Sequence, residues 1–260
     1  MLPVSFVPSM STRSISGTIR GLGTRANPAF AGGVVGLSIL AVAYVSSGAA
    51  SITTHMYVHV MAGVLWTGTD LFMGAVLGPV TGGLEEEESA ALFTRLTPKT
   101  TFFLPAMALL TIAGGITLAL RMGYFPNAAP WLALFTAANV LPALLVAGWR
   151  LNAYGDRRWQ TLFGVSAVAS LAWVAATVGA LGPIPPVIGL ALAIVTVLSV
   201  VGFGFLLPGE IRMYTEMTAA NPDPSVISRI GSRNAKLGAV QGVFQLGIIV
   251  LMVTLRVGGA

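Results

Sequence analysis

His55 and His59, the two histidines of the chain, share one apolar segment with Trp66, Asp70 and Met73. On a helix turning about 100° per residue, these five side chains fall within an arc of about 60°. Imidazole binds metals and carries protons, and a thioether is a soft ligand; together they suit copper(I). Histidines at i and i+4 can chelate one ion on a helix face. A zinc-protease site is excluded, because no glutamate stands between them and there is no third histidine. Two histidines on one helix cannot be the opposite axial ligands of one haem. A haem here would take His55 or His59 on one side, with methionine or an open position on the other. The structural alternative makes both histidines hydrogen-bonding caps at the membrane interface.

Asp70 is the one acid outside the connections and their edges. A carboxylate at membrane depth costs at least ~2.5–3.5 kcal/mol on insertion scales, so it must face the bundle interior with a partner or water. It lies about 16 Å along the axis from His59, too far for contact and suited to a relay. Its structural alternative is a protonated or hydrogen-bonded group, with Thr67 or a neighbouring helix as partner.

The elements that position this stripe are transmembrane helices. The 260 residues are 55% hydrophobic and 9% charged, with mean hydropathy +0.84; a soluble domain carries roughly 25% charged residues. Apolar runs at about 29–49, 52–80, 101–121, 130–149, 160–181, 184–207 and 237–256 are each long enough, or nearly so, to cross a ~30 Å hydrocarbon core. The alternation of a membrane barrel is absent. The expected fold is an all-α polytopic bundle of seven helices. It comprises a basic cytoplasmic tail, 1–28, and a single transmembrane domain, 29–260, with hairpins 52–121, 130–181 and 184–256.

Charge sets the orientation. The tail (Arg13, Arg20, Arg25) and the 81–100, 150–159 and 208–236 connections hold twelve of the fourteen basic residues, leaving only Arg121 and Arg256 for the other side. The positive-inside rule therefore places the N-terminus in the cytoplasm, and the net charge of +5 is a topology signal rather than a nucleic-acid footprint. Gly48-Ala49-Ala50 has the small residues of a cleavage site, but the tail is long for a leader and is expected to be retained. With no cysteine, disulfides, iron–sulfur clusters and covalently attached haem are excluded.

Other signals are structural. The Glu85 to Glu88 run suits the start of a helix. Asn139, Gln241 and Gln245 can hydrogen-bond between helices, and Gly74/Gly78 and Gly238/Gly242 form small-residue packing faces. Pro105 and Pro142 are expected to kink their helices. A faint repeat pairs Leu77-Gly78-Pro79 and Phe93-Thr94-Arg95-Leu96 with Leu206-Leu207-Pro208 and Ile227-Ser228-Arg229-Ile230. Membrane folds often place sites at the interface of such repeats.

His59 through Gly68, with histidine two turns before Trp66-Thr67-Gly68, resembles the opening helix of the copper-resistance protein D family. Phe93-Thr94-Arg95-Leu96, then Thr111 to Gly115, is similar to that family's Arg-containing loop and Thr/Gly helix. Pro105-Ala106-Met107 with Thr111 and Gly115 also resembles the membrane-bound protoporphyrinogen oxidase family, which handles haem and porphyrin. Pro208-Gly209-Glu210-Ile211-Arg212, with Glu216 and Arg229, is similar to an uncharacterised branch of the same group. The resemblance covers roughly 52–121 and 205–256 and implies a site at His59, Trp66 and Arg95. The porphyrin enzymes' histidines on later helices have no counterpart here, which favours copper over an enzyme.

The expectation is a multi-pass protein of the cell membrane with a metal-handling or redox role. A copper ion or b-type haem would sit at His55 and His59, with Met73 as a soft ligand and Trp66, Asp70 and Arg95 in support. Three alternatives are a haem-dependent oxidase of a porphyrin or quinone-like substrate, a proton-coupled small-molecule transporter using Asp70, and an accessory subunit of a membrane complex. The lipid bilayer is the partner in every case; a larger complex or a homo-oligomer is a further candidate.

Overall fold

The computed structural model describes residues 15–257, so Arg13 of the basic tail lies outside the described residues. Eight helices follow one another: α1 (Ile15–Ala26), α2 (Pro28–Ser46), α3 (Ile52–Gly82), α4 (Glu86–Arg121), α5 (Ala128–Arg150), α6 (Arg157–Thr177), α7 (Pro186–Met217) and α8 (Pro224–Val257). The seven from α2 to α8 are long and apolar enough to span a bilayer. Their outer faces expose large apolar side chains such as Leu37, Leu40, Val168 and Val250, as a lipid-facing surface requires. The protein is an all-α, multi-pass membrane bundle.

The connections expected at 81–100 and 208–236 are largely helix. α4 begins at Glu86, where Glu85 and Glu88 make a reciprocal capping box and three glutamates fill the first turn, favoured by the positive end of the helix dipole. α8 begins at Pro224, just after Asp223 accepts from the Ser225 N–H and hydroxyl. Hydropathy misses these extensions because beyond the bilayer the helices turn amphipathic. Ala90 and Phe93 of α4, Met213 and Met217 of α7, and Ile227 and Ile230 of α8 form a core of their own. Ser228 donates to Ser89 across it at 2.9 Å. The expected tail also has structure: Leu22 and Ala26 of α1 are buried, and Gly21 lies so close to Tyr214 of α7 that a Cβ would displace the phenol.

α3 and α7 share a second feature. Pro79 and Pro208 bring no N–H to the helix, and each is preceded by a wide π stretch, Phe72–Leu77 and Val200–Leu206. The residue just before each proline, Gly78 and Leu207, donates to the carbonyl five residues back, of Met73 and Gly202. Both arms of the sequence repeat thus carry the same local distortion.

α3 and α8 cross through their small residues. A Cβ on Gly74 would stand 2.6 Å from Ala239 Cα, and one on Gly242 would stand 2.6 Å from Leu71 Cδ2. Backbones this close gain dispersion contacts, the main attraction available between helices in lipid. The crossing sets α8 against the histidine-bearing helix.

Candidate functional site

The two histidines diverge in role. His55 is fully buried, with Nε2 at 2.9 Å from the Gly114 carbonyl and 3.2 Å from Thr117 Oγ1. Its Nδ1 lies 3.3 Å from Arg121 Nη1, which also donates to the Ala50 carbonyl. A carbonyl only accepts and a guanidinium only donates, so Nε2 carries the proton and Nδ1 receives one. Both nitrogens are committed to tying α3 to α4, and neither has a lone pair left for a metal.

His59 keeps one nitrogen free. Nδ1 stands 2.9 Å from the Thr111 carbonyl and must be the protonated nitrogen, leaving the Nε2 lone pair without a hydrogen-bond partner among the described residues. The ring lies against the Gly114-Gly115 pair of α4; a Cβ on Gly115 would be 2.8 Å from His59 Cε1. Glycine is required there to give the imidazole room.

That face of His59 borders a cavity of about 460 Å³ between α3, α4, α5, α7 and α8. Trp66, Phe125 and Phe135 give it aromatic walls, and Met56, Met122 and Met252 contribute methionine side chains. No Asp, Glu, Lys or Arg is among the lining residues. Val60 and Val64 of α3, and Ile249 and Val253 of α8, line it while also exposed on the lipid-facing surface. These exposed apolar side chains put the α3–α8 side of the cavity at the edge of the bundle.

Its polar floor is Gln245 of α8. The amide Nε2 donates to Asp70 Oδ2 at 2.8 Å, while Oε1 is buried with no hydrogen-bond partner among the described residues. Asp70 is 1% exposed and also interacts with the Trp66 side chain. Beyond it, Glu210 of α7 lies beside Thr101, close enough to Asp70 for their charges to interact. Gln241 donates to the Leu198 carbonyl and Asn234 to the Leu206 carbonyl. A polar seam therefore runs down α8 from the cavity toward the basic end.

The structure thus brings His59 and Trp66 to one cavity and links Asp70 to it through Gln245. It does not bring His55 to the cavity, nor Met73, which sits in the π stretch where α3 leaves the regular stripe. Arg95 is exposed and stands about 24 Å along α4 from Thr111. Among the described residues no three His, Asp or Glu side chains converge as a metal cage. Sequence reasoning missed Glu210 as a half-buried acid near Asp70 and Gln245 as a cavity group. Asn234, Gly238, Gln241 and Gln245, spaced i, i+4, i+7, i+11, were the available signal. Comparison with protein-family models, with curated proteins and with solved structures finds no match to this chain.

Proposed function

We propose that this membrane protein binds a neutral, ring-bearing, lipid-soluble ligand of the hydroquinone type, drawn sideways from the bilayer and anchored at His59. The observation that carries this reading is His59 on the wall of an apolar cavity, its Nε2 without a hydrogen-bond partner among the described residues. Gln245 Oε1 adds a second acceptor without a donor. A buried acceptor left unpaired, as Gln245 Oε1 is, costs ~1–3 kcal/mol, so the ligand that fits brings hydroxyl donors. The uncharged aromatic wall suits a neutral ring, and the exposed apolar side chains on the α3–α8 side suit a molecule that partitions into lipid. In this reading the basic end faces the cytoplasm and the cavity lies in the outer half of the cell membrane. Asp70 and Glu210 stand where a proton leaving the ligand could be received.

Titrating the detergent-purified protein with a short-chain hydroquinone tests it by calorimetry. His59→Ala is expected to weaken binding about 10- to 100-fold, the loss of one or two hydrogen-bond equivalents. Equal affinity in the variant would remove His59 as the anchor.

A second reading keeps a metal at the same nitrogen. An imidazole whose other N–H is pinned to a backbone carbonyl is the usual arrangement of a metal ligand. The residues fit copper(I) by donor type, through His59 and the methionine sulfurs of the wall. They fit b-type haem less well: the aromatic wall suits the macrocycle, but no cation lines the cavity to meet its carboxylates. When bound, either group would supply one-electron chemistry. Absorption spectra of the oxidised and reduced protein, with elemental analysis, separate the cases. A Soret band assigns haem, copper without one assigns the ion, and neither leaves the organic ligand.

A further inference from the structure

At the basic end of the bundle three arginines from three helices converge. Arg150 closes α5, Arg212 lies on α7 and Arg233 on α8. Glycines allow the approach: a Cβ on Gly204 would be 3.0 Å from the Val146 side chain, and one on Gly209 would be 2.6 Å from Asn234 Oδ1. The Arg150 guanidinium stands 5.9 Å from the centre of the Phe205 ring on α7. Asn234, next to Arg233, donates to the carbonyl of the following residue, Leu206.

The three guanidinium groups lie within electrostatic reach of one another. Arg150 feels the charge of Arg212, and Arg233 feels both. None of them forms an ion pair among the described residues. Arg233 Nε is buried with no hydrogen-bond partner among the described residues. Like charges held together at the edge of a low-dielectric region repel, and a buried N–H left unpaired is costly. Both penalties vanish when an anion with several acceptor oxygens sits among the three, and phosphate matches the guanidinium fork.

We propose that Arg150, Arg212 and Arg233 form a binding site for a phosphate group at the membrane edge. A lipid headgroup and free inorganic phosphate share that chemistry. The surroundings favour the headgroup, since Trp149 and Leu145 beside Arg150 are exposed on the outer face of α5. Tryptophan favours the headgroup level of a bilayer, and basic pockets between helices take anionic lipids.

Native mass spectrometry of the full chain, delipidated in detergent, tests the site with phosphatidylglycerol, phosphatidylcholine and inorganic phosphate. Phosphatidylglycerol is expected to bind about tenfold more tightly than phosphatidylcholine. The double variant Arg150→Gln/Arg233→Gln should lose that preference, while Arg229→Gln, on the exposed face of α8, keeps it. Phosphatidylglycerol retained against excess inorganic phosphate assigns the headgroup, and displacement assigns free phosphate; either supports the site. Equal preference in wild type and double variant would overturn it. Removing the repulsion should also let the delipidated double variant melt no lower than wild type. A lower melting temperature would show the arginines to be structural, and would overturn the proposal by a route independent of lipid.

Discussion

A Gly74→Leu chain is expected to fail to assemble its bundle. Gly74 is where α3 and α8 touch backbone to backbone: a Cβ there would stand 2.6 Å from Ala239 Cα and 2.8 Å from Ala239 N. A side chain that collides with a flexible neighbour can be accommodated, but one that meets a helix backbone forces the helices apart. Overpacking typically costs 1–3 kcal/mol, and here no rotamer change relieves it, so the loss should exceed ~3 kcal/mol. That is a large part of the ~5–15 kcal/mol that holds a typical domain folded. Parting the helices would also pull Gln245 from Asp70. The check is the monodisperse fraction after detergent extraction, with the melting temperature of what survives. Gly68→Leu is the control, since a Cβ at Gly68 meets nothing within 4 Å on the same helix. Equal melting temperatures for Gly74→Leu and wild type would show that this crossing does not hold the bundle.

Gly115→Val acts on the site rather than the fold. The added Cβ would fall 2.8 Å from His59 Cε1 and 3.3 Å from its Nδ1, so the ring must leave its bed on α4. The Nδ1 bond to the Thr111 carbonyl breaks, Nε2 loses its aim, and the valine methyls intrude on the cavity. A displaced anchor together with about 3 kcal/mol of crowding predicts a loss of ligand affinity on the order of a hundredfold or more. His55 should be little disturbed, because its bonds go to Gly114, Thr117 and Arg121. The variant should therefore still extract as a folded bundle, its melting temperature lowered by that crowding, while failing to bind. Binding within a few-fold of wild type would mean that the His59 ring position does not matter to the ligand. Gly115→Ala should fall between the two.

The membrane class and the number of spans were legible because bulk apolarity is a one-dimensional property, and a run of some twenty residues reports it directly. The helix ends on the basic side were not. Phe93, Met213 and Ile230 pack against each other outside the bilayer, so their segments carry charge as well as apolar faces and read as connections. The stripe on α3 singled out His59, Trp66 and Asp70 because burial of polar groups along one helix follows the helical period. It could not separate His55 from His59. That distinction rests on Arg121, Gly114 and Thr111 of another helix, and no spacing within α3 encodes it. Gln245 was visible as a polar residue in a span. Its bond to Asp70, 175 residues away, depends on how α8 crosses α3.

The small core that Phe93, Met213, Met217, Ile227 and Ile230 build beyond the bilayer has a mechanical consequence. It rivets α4, α7 and α8 together at one end, and the close crossing of Gly74 with Ala239, midway along α8, holds α3 to them. The opposite ends are joined by the 122–127 and 178–185 connections, and the cavity lies beside them. The bundle is thus built like a pair of tongs, with its pivot at the basic end and its jaws where the ligand would sit. A small rotation at the pivot becomes a larger separation at the jaws. Any widening needed to admit a bulky ring can be met by splaying α3 from α8 at the far end, leaving the Gln245–Asp70 contact, nearer the pivot, almost in place.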